Sequence, residues 1–227
     1  MNSIEVFPDR EGLAAAAAEV LAQTLSAPDA RSLVATGGTT PGPAYDRLAT
    51  ADLDWRRITV TPSDERWVAT DSVESNERLL RQRLLVDRAA AALFLPLKGR
   101  GGSPREDAAA VEPRLRELLP FTAVLLGMGE DGHIGSLFPT SPDLDATLDP
   151  AGGPLCIGVA MSGEKPFLPR ISLTVRAFLD TRLLVLLISG QAKRDLVDRV
   201  RADPGFAPPV AAVLRQNRAP VRLMWAP

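Results

Sequence analysis

The segment from Gly127 to His133 contains the only histidine of the chain, and an aspartate, Asp131, stands two residues before it. Its three glycines favour a shaped loop over a helix. A carboxylate at this distance can hydrogen-bond the imidazole and fix its tautomer, which leaves the other ring nitrogen available as a general base. A lone histidine can equally be a structural or surface residue, so this segment alone leaves both interpretations open.

Two further segments carry the residue types that bind anions. Residues 36–41 read Thr-Gly-Gly-Thr-Thr-Pro. The glycines allow close backbone approach, and the amides and hydroxyls can donate to an anion at the start of a helix. Residues 64–66, Asp-Glu-Arg, follow a strand, and an arginine can hold a phosphate through a fork of donors. Alternatively, the first segment is a tight turn without a ligand and the second is a surface ion pair.

Lysine is scarce, since only Lys98, Lys165 and Lys193 occur among the 26 basic residues. Lys193 is predicted in the first turn of a helix, where a cation opposes the helix dipole at a cost of roughly a few tenths of a kcal/mol. A bound anion would offset this cost. The alternative is a solvated surface lysine.

The composition excludes several classes of site. With one histidine and one cysteine, the 227-residue chain cannot supply the ligands of a usual zinc site or form an intrachain disulfide. The net charge of −2 gives no basic field for nucleic acid, and no apolar run approaches the length that spans a membrane. The N-terminal residues lack the pattern of a signal peptide, so we expect a cytoplasmic protein.

The elements that must position these segments alternate between short apolar strands and helices. Strands are predicted at 32–35, 58–61, 92–95, 123–126, 155–159, 183–188 and 221–224, with the last at an edge of the sheet. Helices are predicted at 13–25, 77–86, 105–118 and 192–201. A further helix is predicted to begin at Pro41, and a short helix that ends at residue 180 is predicted to have Ser172 or Thr174 as its cap. Residues 140–154 are expected to form a polar loop.

Continuous apolar strands of this kind are buried on both faces. They predict an α/β fold in which helices cover both faces of a mostly parallel sheet, in a single domain over residues 1–227. Because ligands bind at the carboxyl ends of the strands in such sheets, we expect the polar segments to converge there into one small-molecule site.

Taken in order, these motifs resemble those of the 6-phosphogluconolactonase family. The family's Ser-Gly-Gly-Ser-Thr-Pro loop corresponds to residues 36–41, its Asp-Glu-Arg cluster to 64–66 and its Ser-Asn pair to 75–76. Its long histidine signature, Leu-Gly-Met-Gly-x-Asp-Gly-His-x-x-Ser-Leu-Phe-Pro, corresponds to 126–139, with Gly135 where alanine is common. The runs at 169–174 and 190–193 also match, whereas Ala69 stands where the family often has proline.

The resemblance implies a three-layer fold of the glucosamine-6-phosphate deaminase type. It also implies hydrolysis of 6-phospho-D-glucono-1,5-lactone in the oxidative pentose phosphate pathway, without metal or organic cofactor. His133 would be the catalytic base, Asp131 would orient it, and Arg66 and Lys193 would bind the phosphate. The substrate-binding residues that it implies are Gly37, Gly38, Thr39, Thr40, Asp64, Arg66, Asn76, Ser136, Arg170 and Lys193. The expected partner is the phosphosugar lactone, with neither nucleic acid nor membrane, and the expected state is a monomer or small homo-oligomer.

Two alternatives remain. The related deaminases share Gly-x-Asp-Gly-His but usually continue Ile-Ala-Phe-Asn-Glu-Pro, with a glutamate that assists ring opening. Here residues 134–139 read Ile-Gly-Ser-Leu-Phe-Pro, without that glutamate. A non-catalytic sugar-phosphate sensor on the same fold would keep Arg66 and the glycine loop and would not need His133. Such a sensor would normally carry a segment for binding DNA or a protein partner, and we expect none here.

Overall fold

A computed structural model describes residues 3–141, 144–159 and 168–227 of the chain. Its main sheet has seven strands, and every neighbouring pair is parallel. In spatial order the strands are β1 (Ile4–Val6), β10 (Val221–Ala226), β9 (Leu184–Ser189), β6 (Ala123–Leu126), β2 (Ser32–Ala35), β3 (Thr59–Pro62) and β5 (Leu93–Phe94). A second, antiparallel sheet has the order β4 (Asp64–Arg66), β8 (Arg170–Leu173) and β7 (Cys156–Val159).

Helices cover both faces of the main sheet because its central strands are apolar on both sides. Alternate residues of a strand enter opposite cores: Leu184 and Leu186 belong to one buried cluster, whereas Val185 and Leu187 belong to the other. The helices are α1 (Arg10–Leu25), α2 (Gly42–Ala49), α3 (Asn76–Arg83), α4 (Pro104–Glu117), α5 (Leu144–Leu148), α6 (Val175–Leu179), α7 (Gln191–Ala202) and α8 (Val210–Leu214). The first three pack on one face, and α4 and α6 to α8 on the other. The predicted α/β fold is confirmed.

Several local predictions need correction. The strand at 221–226 is not at an edge, because β1, which the sequence did not predict, pairs with it on the outside. The segment 140–154 is not loop throughout, since α5 lies within it; residues 142 and 143 lie outside the described part of the chain. Helix α3 ends at Arg83 rather than at residue 86, and Ser75 provides its N-terminal cap. Ser172 lies in a strand, so Thr174 stands at the start of α6.

The largest difference concerns Asp64 to Arg66, which the sequence placed after a strand, with a surface ion pair as the alternative interpretation. These residues form β4 and pair with β8, with Asp64 opposite Ser172 and Arg66 opposite Arg170. Asp64 is only 5% exposed and Glu65 only 3%. The second sheet therefore brings residues that are more than one hundred positions apart in sequence to the same side of the molecule. None of the described helices is long and apolar enough to cross a bilayer.

Candidate active site

A cavity of about 330 Å³ lies at the carboxyl ends of β2, β6 and β9, which are neighbours in the main sheet. This volume suits a small ligand. Ten of the predicted site residues line it: Gly37, Gly38, Thr39, Thr40, Asp64, Arg66, Asn76, His133, Arg170 and Lys193. The other two, Asp131 and Ser136, do not line the cavity, but each hydrogen-bonds a residue that does. The predicted convergence of the polar segments is therefore seen in the structure.

The imidazole of His133 is hydrogen-bonded to Asp131 through Nδ1. His133 Nδ1 lies 2.7 Å from Asp131 Oδ1, and the same oxygen accepts the backbone N–H of His133 at 3.0 Å. Burial, the largest single influence, raises the pKa of the Asp131 carboxyl, but the hydrogen bonds and charge of His133 together with a backbone hydrogen bond lower the pKa below its usual value. An ionised carboxylate can only accept, so in the neutral imidazole the proton belongs on Nδ1 and the lone pair on Nε2.

The His133 ring also depends on a glycine beneath it. A Cβ atom on Gly129 would lie 2.2 Å from both Cε1 and Nδ1 of the ring, so the ring occupies the space that any side chain at 129 would need. The backbone N–H of Gly129 donates to the carbonyl of His133 at 2.9 Å and closes the turn. On another side of the ring, Phe138 packs with its centroid 4.5 Å away. Together these contacts fix the orientation of the imidazole.

A hydrogen-bonded chain links Arg66, Asn76 and Asp64. Arg66 Nη1 donates to the side-chain oxygen of Asn76 at 3.0 Å and to the carbonyl of Glu74 at 2.7 Å. Asn76 Nδ2 donates to the carbonyl of Asp64 at 2.8 Å. The Asp64 carboxylate accepts the hydroxyl of Ser136 at 2.6 Å. This chain joins β4, the start of α3 and the loop that carries His133.

Cationic side chains concentrate in the cavity. Arg66 and Arg170 are directly opposite each other on antiparallel strands, and both line the cavity together with Lys193. Like charges at such cross-strand positions repel each other. A dianion between them would remove this repulsion and accept hydrogen bonds from both forks. The arrangement can therefore bind a phosphate.

The loop at residues 36–41 is held from two directions. The Tyr45 hydroxyl donates to the carbonyl of Thr36 at 2.6 Å, and the hydroxyls of Thr40 and Ser189 lie 3.2 Å apart. Within the described part of the chain, no side chain caps the N-terminus of α2, which follows this loop, or that of α7, which follows Ser189. The first N–H groups of an uncapped helix can donate to an anion, and Pro43 leaves α2 with fewer such groups than α7.

Gly37 is required for the close approach of Asn76. A Cβ atom at 37 would lie 2.0 Å from the Asn76 side-chain oxygen, and Asn76 is only 2% exposed, so it has little space to move. We expect Gly37→Ala to displace Asn76 and to reduce the free energy of unfolding by about 1–3 kcal/mol, as overpacking does. Urea denaturation measures this change. Gly127→Ala is the matched control, since its Cβ would come no closer than 3.8 Å to Thr36; equal losses in the two variants would contradict the steric explanation.

The sequence did not identify several residues around the cavity. Glu65 is buried beneath the site, and three of its four hydrogen-bond partners are ten to twelve residues further along the chain. Glu130, Met128 and Leu187 line the cavity. Glu130 stands within the histidine signature, three residues before His133, and this position is the feature of the sequence that could have indicated its place in the cavity. Among residues 3–141, 144–159 and 168–227, no three histidine, cysteine, aspartate or glutamate side chains come together as a metal-binding group.

The chain is similar over almost its whole length to known proteins. The family model described as glucosamine-6-phosphate isomerases/6-phosphogluconolactonase matches residues 8–225. A 6-phosphogluconolactonase of Caulobacter vibrioides is 47% identical, over 98% of this chain and 97% of its own length. The crystal structure of a 6-phosphogluconolactonase from Shewanella baltica matches with a TM-score of 0.93 and 32% identity, over 100% of this chain and 98% of that chain. A monomeric glucosamine-6-phosphate deaminase shares the fold, with a TM-score of 0.78 and 18% identity over 99% and 97% of the two chains. The chain belongs to the glucosamine-6-phosphate isomerase/6-phosphogluconolactonase family.

Proposed function

We propose that this protein is a 6-phosphogluconolactonase, which hydrolyses 6-phospho-D-glucono-1,5-lactone to 6-phosphogluconate with His133 as the general base. One observation above all supports the proposal: His133, oriented by Asp131, lines the same cavity as Arg66, Arg170 and Lys193. The substrate is a cyclic ester that carries its phosphate at the end opposite the carbonyl group. Its hydrolysis requires a base near the carbonyl carbon and cationic side chains near the phosphate, and one small cavity contains both. The relatives from Caulobacter vibrioides and Shewanella baltica carry this activity in their names.

In the proposed reaction, Nε2 of His133 takes a proton from water while the water oxygen bonds to the lactone carbonyl carbon. The imidazolium that forms is stabilised by the Asp131 carboxylate at Nδ1. The tetrahedral intermediate then expels the ring oxygen, which receives the proton from His133, and the ring opens to a carboxylic acid. The amides and hydroxyls of residues 37–40 are our candidates for stabilising the oxyanion.

The phosphate is proposed to bind among Arg66, Lys193 and Arg170. Arg66 supplies a planar fork of donors, and Lys193 lies in the first turn of α7, where the helix dipole adds to the positive field. Asp64 and Asn76 form the hydrogen-bonded wall beside them, and the buried Ser136 supports this wall by donating to the Asp64 carboxylate. We propose that this wall orients the sugar hydroxyls between the phosphate and His133.

A deaminase reaction is less well supported by the surroundings of His133. Phe138 packs against the imidazole at 4.5 Å and stands in the sequence where the deaminase motif has its glutamate. An aromatic ring cannot accept the proton that this glutamate handles. Hydrolysis at a carbonyl requires only the base and a water at this position.

The proposed activity is tested with freshly prepared lactone, coupled to 6-phosphogluconate dehydrogenase and corrected for spontaneous hydrolysis. We expect a rate above background that saturates with substrate and is proportional to the protein concentration. A parallel assay follows ammonia release from glucosamine 6-phosphate. No acceleration of lactone hydrolysis would refute the proposal, and ammonia release would favour the deaminase instead.

Arg66→Ala is expected to raise KM about 10–100-fold, because a hydrogen bond to a charged group contributes about 1.5–3 kcal/mol. The expected change in kcat is less than about threefold, since the phosphate is bound equally in the ground and transition states. Steady-state kinetics with the lactone separate the two constants. Arg78→Ala is the control, because Arg78 lies in the neighbouring helix α3 and donates to the carbonyl of Asp71 outside the cavity. A fall in kcat with KM unchanged would place Arg66 at the reacting carbonyl rather than at the phosphate.

A further inference from the structure

Glu65 accepts four hydrogen bonds that join its own strand to the start of α3. Its Oε1 accepts the backbone N–H of Arg66 at 2.7 Å and that of Asn76 at 2.8 Å. Its Oε2 accepts the hydroxyl of Ser75 at 3.0 Å and the backbone N–H of Glu77 at 2.7 Å. Both carboxylate oxygens are therefore fully used, and the two ends of the segment from 66 to 75 are held together.

Two of these donors belong to residues whose side chains line the cavity. Arg66 and Asn76 are also bonded to each other through Nη1 and the side-chain oxygen at 3.0 Å. Their backbones converge on the same Glu65 oxygen, which fixes the distance between β4 and α3 at the point where both residues enter the site. A side chain below the cavity thus determines the relative positions of two side chains in its wall.

The chemistry of the donors requires a carboxylate at this position. Three N–H groups and one hydroxyl point at Glu65, and all four are neutral donors. An amide has one acceptor oxygen, and its NH₂ group would face two of these donors without bonding them. Burial raises the pKa of Glu65 above its usual value, and the hydrogen bonds from Glu77, Asn76, Arg66 and Ser75 offset part of this rise because they favour the charged form.

We infer that Glu65 is a positioning residue for substrate binding, which acts through Arg66 and Asn76 and does not touch the substrate. The inference rests on the proposed function, because it assigns Arg66 to the phosphate. It predicts that loss of the Glu65 carboxylate changes KM and leaves the chemistry at His133 largely unaffected.

The test compares Glu65→Gln with the wild type in the lactone assay and in calorimetric binding of 6-phosphogluconate. We expect KM and the dissociation constant to rise about tenfold, in line with the cost of leaving buried donors unpaired. The expected change in kcat is less than about threefold. Glu77→Gln is the matched control, since Glu77 also lies in the first turn of α3 but its carboxylate pairs with Arg81 at 2.8 Å. An unchanged KM in Glu65→Gln, or an equal rise in Glu77→Gln, would overturn the inference.

A double-mutant cycle separates positioning from a general loss of structure. If Glu65 acts through Arg66, then Glu65→Gln adds little to KM in an Arg66→Ala background, whereas independent effects would multiply. Multiplied effects would overturn the inference. If Glu65→Gln does not fold, Ser75→Ala removes one of the four bonds, together with the N-terminal cap of α3, and keeps the carboxylate. A rise of a few-fold in KM in a variant that thermal unfolding shows to be folded supports the inference, and an unchanged KM overturns it. A wild type without lactonase activity refutes the proposed function, whereas an active wild type with a normal Glu65→Gln variant refutes only the role of Glu65.

Discussion

Replacement of His133 by alanine is expected to lower kcat for lactone hydrolysis by about 10²–10⁴-fold, the usual contribution of a positioned general base. The physical reason is the arrangement at the ring: Asp131 holds Nδ1 at 2.7 Å, so only Nε2 is available to take a proton from water. KM is expected to change little, because Arg66, Arg170 and Lys193 retain their positions. Steady-state kinetics with fresh lactone, after subtraction of spontaneous hydrolysis, measure both constants.

Two controls make the His133 result interpretable. Circular dichroism and thermal unfolding establish that the variant is folded, because the ring also packs against Phe138. Asp131→Asn keeps the size of the side chain but removes the negative charge that stabilises an imidazolium, and it should produce a smaller fall in kcat. Because the chain has a single histidine, its ring Hε1 proton gives one unambiguous NMR signal, which reports whether the ring titrates with the same midpoint as kcat. Near-normal turnover in folded His133→Ala would exclude His133 as the base.

Gly129→Ala is expected to lower kcat by about 10²-fold or more, because a displacement of about 1 Å in a catalytic group can have an effect of this size. The new Cβ would lie 2.2 Å from two atoms of the His133 ring and 2.8 Å from Asp131 Oδ1, far inside van der Waals contact. The ring must therefore move or lose its bond to Asp131. The backbone φ of Gly129 lies outside the left-handed region, so alanine can adopt this backbone conformation without strain. The expected effect on kcat therefore comes from the steric conflict alone.

Gly127→Ala is the control for this steric effect. It adds the same methyl group two residues earlier in the same loop, where the nearest atoms, in Thr36, are 3.8 Å away. We expect its kcat to remain within about threefold of the wild type, as for a substitution that creates no steric conflict. The chemical shifts of the His133 ring should change in Gly129→Ala and remain nearly constant in Gly127→Ala. Equal kinetics in the two variants would mean that the position of the imidazole over Gly129 is not important for turnover.

Those parts of the fold that depend on local sequence patterns were predictable. Continuous apolar runs such as 123–126 and 183–188 identified the central strands, because strands covered by helices on both faces have no polar side. The positions of His133, Arg66 and Lys193 after such strands also predicted that they would meet at one end of the sheet. Ten of the twelve predicted site residues line the cavity. Their individual roles, and the single domain over residues 1–227, stay predictions.

The features that the sequence did not reveal depend on contacts between distant segments. The pairing of Asp64 with Ser172 creates the second sheet, and nothing near residue 64 indicates which strand will lie beside it. In the sequence, Glu65 is one member of a polar triplet, and nothing nearby indicates that it is buried. It accepts hydrogen bonds from the start of α3, which the fold places next to it. In the same way, β10 has an inner position only because the three-residue strand β1 pairs with it.

The position of β1 and β10 beside β9 also has a consequence for biosynthesis. During translation, β1 emerges first but has no neighbour until β10 is made, more than two hundred residues later. Five strands that are adjacent in the sheet, β9, β6, β2, β3 and β5, are all made before β10, and they include the strands that lead into the site. Until then the fully buried apolar strand β9 has an open edge, a known starting point for aggregation. Five of the seven strands of the main sheet, including those that lead into the cavity, are therefore made before the strand that covers this edge of β9.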